Sequence, residues 1–143
     1  MTSIRTVLAF VTLVLFTGLP AHAQGTAEPA VVLQGTDVVS YFKDGGPVKG
    51  QAAFREDFDG ARYLFSSAQN KAAFVADPDR YLPQYSGLCT TGLSKGFRAP
   101  ADPAAWKIVG GKLYLFRSVK DIPADTHESE TIARANQNWA KRP

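Results

Sequence analysis

The chain has 143 residues, with 16 basic and 13 acidic side chains and a formal net charge of +3. This length suits one domain with a modest hydrophobic core. The basic surplus is small and no cluster of lysine and arginine appears, so the sequence gives no support for a nucleic-acid-binding protein.

Residues 1–23 have the features of a secretory signal peptide. Arg5 supplies a positive start, Val7 to Phe16 form a short apolar run, and Ala21-His22-Ala23 fits a cleavage site of small residues. The apolar run is too short to span a membrane, which needs about 20 residues. We therefore expect an exported protein, periplasmic or secreted, that begins at Gln24 and has no membrane span after cleavage.

Sulfur and imidazole side chains become scarce once this segment is removed. Met1 and His22 leave with it, so that Cys89 and His127 are the cysteine and the histidine of the mature chain. One cysteine cannot form a disulfide within the chain, nor can it build a zinc site of four cysteines or of two cysteines and two histidines. Any metal held by a single copy has to combine Cys89 with carboxylates, His127, tyrosine or backbone oxygens.

The predicted elements begin after a flexible lead-in over residues 24–30, and one domain is expected over residues 31–143. Val31–Leu33 has the pattern of a short strand. Thr36 or Asp37 can cap a short helix that ends at Phe42, because their side chains accept hydrogen bonds from the first backbone N–H groups of a helix.

Two β-hairpins are predicted, because each contains a pair of residues that favours a tight turn between two apolar arms. The arms and turns are Phe54–Phe58, Asp59-Gly60 and Ala61–Phe65 in the first hairpin, and Trp106–Val109, Gly110-Gly111 and Lys112–Phe116 in the second.

Helices are predicted after each hairpin. One covers Ala68–Ala76, with Phe74 and Val75 expected to face the sheet, and the last runs from about Asp125 to Lys141 with Trp139 as its anchor. The elements together predict an α+β fold, in which a small antiparallel sheet from two hairpins carries the helices packed on it.

The single cysteine lies in a stretch rich in glycine, tyrosine and small hydroxyl residues. Pro83 suits the first turn of a helix, and a helix from Pro83 puts Tyr85 and Cys89 on one face. The glycines on both sides, Gly87 and Gly92, leave room for a neighbouring backbone or a ligand. We therefore expect a partly accessible thiol in a concave site lined by Tyr85 and residues 37–42.

Five sequence motifs, taken together, point to a known family. Their residues are Asp37–Phe42, Gly60–Ser67, Asp77–Tyr81, Tyr85–Gly92 and Ala105–Leu115. In this order they are similar to D-P-V-x-Y-F, G-x-x-Y-x-F-x-S, D-P-x-x-Y, Y-G-G-Y-C-A-x-G and A-W-x-I-V-x-G-K-L-Y-L. The chain thus resembles the YHS domain family, in its exported single-domain branch. The resemblance implies a YHS-like fold, and it places Cys89 where relatives have cysteine or sometimes selenocysteine.

The chain departs from the pattern of those YHS domains that are attached to metal-handling proteins. Such domains carry thiols in a D-P-V-C-G-M start and in an F-C-S-x-x-C stretch. This chain has Ser40 and Ser66 where the first two of these thiols fall, and no cysteine near Asn70. The resemblance therefore implies a weaker heavy-metal role here, with Cys89 as the remaining thiol.

Three functions stay open for Cys89. The main hypothesis is a non-enzymatic binding module in which Cys89 and Tyr85 hold a soft metal ion such as copper, or another thiol-reactive ligand. A further sulfur ligand for the metal would then come from an external thiol or from Cys89 of a second copy in a homodimer. The first alternative is a redox protein or sensor. It needs an activated thiol and a partner thiol, and Lys95 and Arg98 are the nearest basic residues in sequence. The second alternative is a structural or interaction domain with an inert, buried cysteine.

Overall fold

The computed structural model describes residues 28–141, which contain seven short strands in three separate sheets and five α-helices. The strands are β1 (Ala30–Val31), β2 (Thr36–Asp37), β3 (Val48–Lys49), β4 (Gln51–Phe58), β5 (Ala61–Phe65), β6 (Asp102–Val109) and β7 (Lys112–Phe116). The helices are α1 (Ser40–Lys43), α2 (Ala68–Ala76), α3 (Pro78–Tyr81), α4 (Thr90–Ser94) and α5 (Asp125–Ala140). The predicted α+β class is confirmed. The predicted signal peptide over residues 1–23 lies outside the described residues.

Both predicted hairpins are present, with their turns at the predicted residues. β4 and β5 pair antiparallel across Asp59 and Gly60, and β6 and β7 pair antiparallel across Gly110 and Gly111. All four turn residues have a positive φ, which is the conformation that a two-residue turn of type I′ requires.

The two hairpins do not share one sheet, contrary to the predicted arrangement. β5 lies between β4 and a parallel β1, and β2 pairs with β3 in a sheet of its own. β7 instead makes single parallel bridges, Leu113 with Pro83 and Leu115 with Cys89. The segment that carries Cys89 therefore takes the place beside β7 that a strand of the other hairpin would need.

Helix α2 covers the predicted residues, and the Ser67 hydroxyl caps its first turn by accepting the N–H of Asn70 at 3.1 Å. Phe74 is fully buried. The rings in contact with it are those of Phe58, Tyr63 and Phe65. Val75 is 54% exposed, so its predicted position facing the sheet is wrong, because neighbouring residues of a helix point about 100° apart.

Helix α5 begins at the predicted residue and is held by one buried stripe. Ala135 is fully buried, and Ile132 and Trp139 pack partly buried against the core cluster that contains Tyr85. The rings of Trp139 and Tyr85 have centroids 5.9 Å apart, so the predicted anchor role of Trp139 is confirmed. Within residues 28–141, none of the helices combines the length and apolar character needed to cross a membrane.

Two turns contain consecutive residues with left-handed backbone. The residues and their φ angles are Leu33 (47°), Gln34 (55°) and Gly35 (81°) in the first left-handed turn, and Tyr85 (57°), Ser86 (54°) and Gly87 (79°) in the second. A non-glycine residue in this conformation costs about 1–2 kcal/mol. The turns pack closely, since a Cβ added to Gly87 would lie 2.8 Å from Leu33 Cδ2. The predicted strand therefore ends at Val31, before the first turn.

Candidate functional site

Cys89 lies at the start of α4 and not inside a helix that begins at Pro83. Residues 85–87 form the second left-handed turn, and Cys89 has extended backbone as the N-cap residue of α4. Its N–H donates to the carbonyl of Ala99 at 2.9 Å. The predicted common helical face for Tyr85 and Cys89 is therefore wrong, because the left-handed turn redirects the chain between them.

The Cys89 sulfur accepts two backbone hydrogen bonds. The N–H of Gly92 donates to it at 3.3 Å, and the N–H of Arg117 donates at 3.2 Å. The residue is only 2% exposed, so the prediction of a partly accessible thiol is wrong, and a ligand has to approach the sulfur through the space next to it.

That space is a cleft of about 230 Å³, which we call the Cys89 cleft. The residues that line it together with Cys89 are Thr91, Gly92, Lys95, Phe97, Ala99, Arg117 and Asp121. Neither Tyr85 nor residues 37–42, which the sequence predicts as the lining of a concave site, belong to this set. The concave site beside the thiol is therefore built from α4, the loop after it and the end of β7.

Two cations and one carboxylate lie on the rim of the Cys89 cleft. Lys95 is exposed and makes no ion pair within residues 28–141. Arg117 Nε lies 3.5 Å from a carboxylate oxygen of Asp121. The Asp121 carboxylate also accepts the Ser118 hydroxyl at 2.8 Å. The rim keeps a surplus of one positive charge, which favours an anionic ligand or reagent.

Sequence reasoning identified only one of the two cations. Arg98, named as a neighbour of Cys89 in the sequence, lies over the ring of Trp139, 5.7 Å from its centroid. Arg117 is 28 residues from Cys89 and comes to it through the bridge between Leu115 and Cys89. A single sequence contains no signal for this contact, because it depends on which segment pairs with β7.

Tyr85, the second predicted ligand, is held against α5. Its hydroxyl donates to Asn136 Oδ1 at 2.9 Å, and its ring contacts those of Tyr114 and Trp139. Burial, with a smaller contribution from Tyr114, raises the pKa of Tyr85 to about 12. The Tyr85 hydroxyl and the Cys89 sulfur thus have separate hydrogen-bond partners.

We predict that most tyrosines of the folded protein stay protonated at pH 10. Burial is the main cause that raises the pKa values of Tyr41, Tyr63, Tyr85 and Tyr114. Tyrosines of the unfolded chain ionise near pH 10. The stability that these four groups contribute is therefore present below about pH 10 and is lost as the pH rises through their higher folded values. An alkaline titration followed by phenolate absorbance is expected to show a cooperative rise that carries most of the amplitude and coincides with unfolding.

The same titration in concentrated urea supplies the reference curve, with ionisation at about pH 10. Tyr85→Phe keeps the ring but removes one of the five tyrosine hydroxyls, so it should lower the final amplitude by about a fifth and weaken the pH dependence of unfolding. If the folded protein already gives the phenolate signal of the urea sample at pH 10, the tyrosines are not protected and the prediction is wrong.

A second set of polar side chains forms a hydrogen-bonded cluster around Asp37. We call it the Asp37 cluster, and its members are Asp37, Ser40, Ser66 and Asn70. The Asp37 carboxylate accepts the N–H of Val39, the N–H and hydroxyl of Ser66 and the side-chain amide of Asn70, at 2.8, 2.8, 2.7 and 2.8 Å. The Ser40 hydroxyl donates to the Asp37 carbonyl at 2.7 Å. This cluster ties the chain before α1 to β5 and α2.

The Asp37 cluster brings together the positions at which the resemblance places thiols of metal-handling proteins. Ser40, Ser66 and Asn70 meet there, but the two hydroxyls and the Asn70 amide nitrogen already donate hydrogen bonds to Asp37. Within residues 28–141 no three or more His, Cys, Asp or Glu side chains are grouped so that they could hold a metal ion. His127 is exposed on α5. Of the described side chains of these four types, Asp121 alone lines the Cys89 cleft together with Cys89.

Comparison with known families supports part of the resemblance. The model of the YHS domain matches residues 39–85, which is about a third of the 143 residues and runs from the residue before α1 into the second left-handed turn. The YHS resemblance is thus confirmed over this range, which ends before Cys89. The YHS domain is a family often linked to metal binding. No curated protein and no solved structure matches the chain.

Proposed function

We propose that the protein is an exported binding module, of the single-domain YHS branch, in which Cys89 holds a soft, thiol-reactive ligand in the Cys89 cleft. The observation that carries this proposal is the pair of backbone N–H groups that donate to the sulfur beside the cleft. A thiol that only fills core space gains little from two donors, because neutral sulfur is a weak acceptor. The features of a signal peptide in residues 1–23 support export to the periplasm or the medium.

A soft metal ion such as Cu(I) suits this sulfur, because Cu(I) prefers thiolate ligands. Each copy supplies one thiolate, and the Tyr85 hydroxyl already donates to Asn136. The second soft donor is then a small external thiol in the cleft, or Cys89 of a second copy in a homodimer. Lys95 and Arg117 favour the external thiol, since their charges attract an anionic thiol and repel a second positive rim.

A redox role for the same thiol is the second candidate, and the N-cap position of Cys89 favours it. In this role the Cys89 thiolate attacks a disulfide of an external thiol, a mixed disulfide forms, and one thiolate of that disulfide leaves. Because the chain has one cysteine, a second external thiol has to reduce the mixed disulfide. The low exposure of Cys89 supports the remaining alternative, an inert core cysteine.

We predict that the reduced protein binds about one equivalent of Cu(I) per chain when a small anionic thiol such as glutathione is present. The titration is carried out under anaerobic conditions, with Zn²⁺ and Hg²⁺ in parallel. Hg²⁺ is expected to bind as a second thiol-seeking ion, and Zn²⁺ is expected to bind weakly, since the Cys89 cleft lacks the four donors of a zinc site.

Cys89→Ser is the matched control, because it keeps the size of the side chain and removes the sulfur. Tyr85→Phe tests the other predicted ligand and is expected to bind Cu(I) like the unmodified protein if the external thiol is the second donor. Equal Cu(I) binding by the unmodified protein and by Cys89→Ser would show that the sulfur is not the ligand, and the proposed metal-binding function would be abandoned.

A further inference from the structure

We infer that the protein has a second binding site, separate from the Cys89 cleft, for a small organic cation with an apolar body. The site is a cleft of about 430 Å³ that lies between the two left-handed turns, and we call it the turn cleft. Its volume falls in the range of small-molecule sites, about 300–1,000 Å³. Leu88 lines the turn cleft, whereas its neighbour Cys89 lines the Cys89 cleft. The two side chains diverge because successive residues of an extended segment point to opposite sides.

Strained backbone is concentrated around the turn cleft. Five non-glycine residues have a positive φ within residues 28–141. The four of them that line this cleft are Leu33, Gln34, Asp59 and Ser86. The positive φ of Asp59 belongs to the tight turn between β4 and β5, but no hairpin accounts for the other three. Residues held in this conformation cluster at ligand-binding sites, where the surrounding structure enforces them.

The chemistry of the lining selects the kind of ligand. Its walls are mostly aliphatic, with Val31, Leu33, Leu82 and Leu88 among them, and Asp59 is its single charged residue. The Asp59 carboxylate makes no ion pair within the described residues. An ammonium group paired with Asp59 and an apolar body on the walls would complement both features. An anionic ligand is disfavoured by the like charge.

Tyr63 offers a further polar contact in the same place. It lines the turn cleft, and its hydroxyl has no hydrogen-bond partner in the part of the chain that the structure describes. Burial raises the pKa of Tyr63, and the nearby charge of Asp59 adds to the effect. The phenol therefore stays neutral at physiological pH and can accept a hydrogen bond from a cation that is paired with Asp59.

The test uses amide NMR spectra of the isotope-labelled protein with three matched probes: hexylammonium, hexanol and hexanoate. Hexylammonium is expected to cause saturable shifts at residues 30–34, 59–63 and 86–88, with the highest affinity of the three, and hexanoate the lowest. Asp59→Asn should lower the hexylammonium affinity about fivefold, the upper end for one exposed charge pair, and leave the hexanol affinity unchanged. This variant should keep its fold, because Asn-Gly is also a favoured pair for this turn.

A second variant tests the location without touching the charge. Ala30→Trp places a large side chain at an exposed position of the lining and should weaken the binding of hexylammonium and hexanol alike. Absence of saturable shifts with all three probes, or shifts confined to other residues, would overturn the site. Equal affinity for the three probes, or no effect of Asp59→Asn, would overturn its preference for a cation. Cys89→Ser should leave all of these affinities unchanged, which separates this inference from the proposed function.

Discussion

Replacing Asp37 by alanine is expected to lower the free energy of unfolding by about 3–5 kcal/mol. The side chain is fully buried and its carboxylate accepts four hydrogen bonds. Alanine leaves the donors of Val39, Ser66 and Asn70 without an acceptor, and each buried unsatisfied group costs about 1–3 kcal/mol. Urea unfolding should show a lower midpoint with an unchanged dependence on urea. A typical domain has only about 5–15 kcal/mol of stability, so this loss is a large share of the total.

Matched variants separate the hydrogen bonds from the charge and from the space that the side chain fills. Asp37→Asn keeps the shape of the side chain but replaces one carboxylate oxygen by an NH₂ group, which faces other donors. It should lower the free energy of unfolding by about half as much as Asp37→Ala. Asp44→Asn, an exposed aspartate just after α1, should change the stability by less than about 0.5 kcal/mol. Asn70→Ala should have less than its usual effect once Asp37 is removed, because the two share a hydrogen bond. If Asp37→Ala is as stable as Asp44→Asn, the Asp37 cluster does not stabilise the fold.

The hairpins and α2 could be predicted because their determinants are neighbours in the sequence. Asp59-Gly60 and Gly110-Gly111 accept the positive φ of a tight turn, and the apolar arms on either side fix the register. Ser67 marks the start of α2 by accepting a backbone N–H three residues later. None of these features depends on a distant part of the chain.

The left-handed turns could not be predicted in the same way. Leu33, Gln34 and Tyr85 disfavour positive φ, so local preference gives the wrong answer for them. Packing between Gly87 and Leu33 and the bridges to β7 impose this conformation from outside the segment. This is why a helix from Pro83 was the reasonable prediction and why the structure differs from it.

The sequence predicted the central residue of the candidate site but not the residues that surround it. Cys89 was singled out by its uniqueness and by the resemblance, and it does lie beside a cleft. Arg117 was missed because 28 residues separate it from Cys89. Asp37 was predicted only as a possible helix cap, and this is wrong, because the N-cap residue of α1 is Val39 and no side chain caps the helix. The Asp37 carboxylate instead accepts the N–H of Val39, just before α1. Its bonds to Ser66 and Asn70 cross 29 and 33 residues, a range at which one sequence gives no pairing information.

The Cys89 thiol is expected to react with a small reagent such as iodoacetamide in the folded protein, faster than global unfolding allows. If unfolding were the only route to the sulfur, labelling would be slowed by at least about 10³-fold, as the unfolding equilibrium of a typical domain requires. The Cys89 cleft provides a direct route, although the residue is only 2% exposed. We therefore expect labelling to be slowed by only about tenfold to a hundredfold, as for a small local opening.

Three comparisons make this result decisive. Ala133→Cys in a Cys89→Ser background gives the rate of an exposed thiol on α5, against which the protection of Cys89 is measured. Low concentrations of urea distinguish the routes, because protection through global unfolding falls steeply with urea whereas access through the cleft hardly changes. An anionic reagent should also react faster than a cationic one of the same size, and Lys95→Gln should reduce this preference. The labelling of Cys89 could be slowed by the full factor that the unfolding equilibrium requires, and this factor could fall with urea as steeply as the stability does. In that case Cys89 is an inert core residue, and the binding and redox roles fail together.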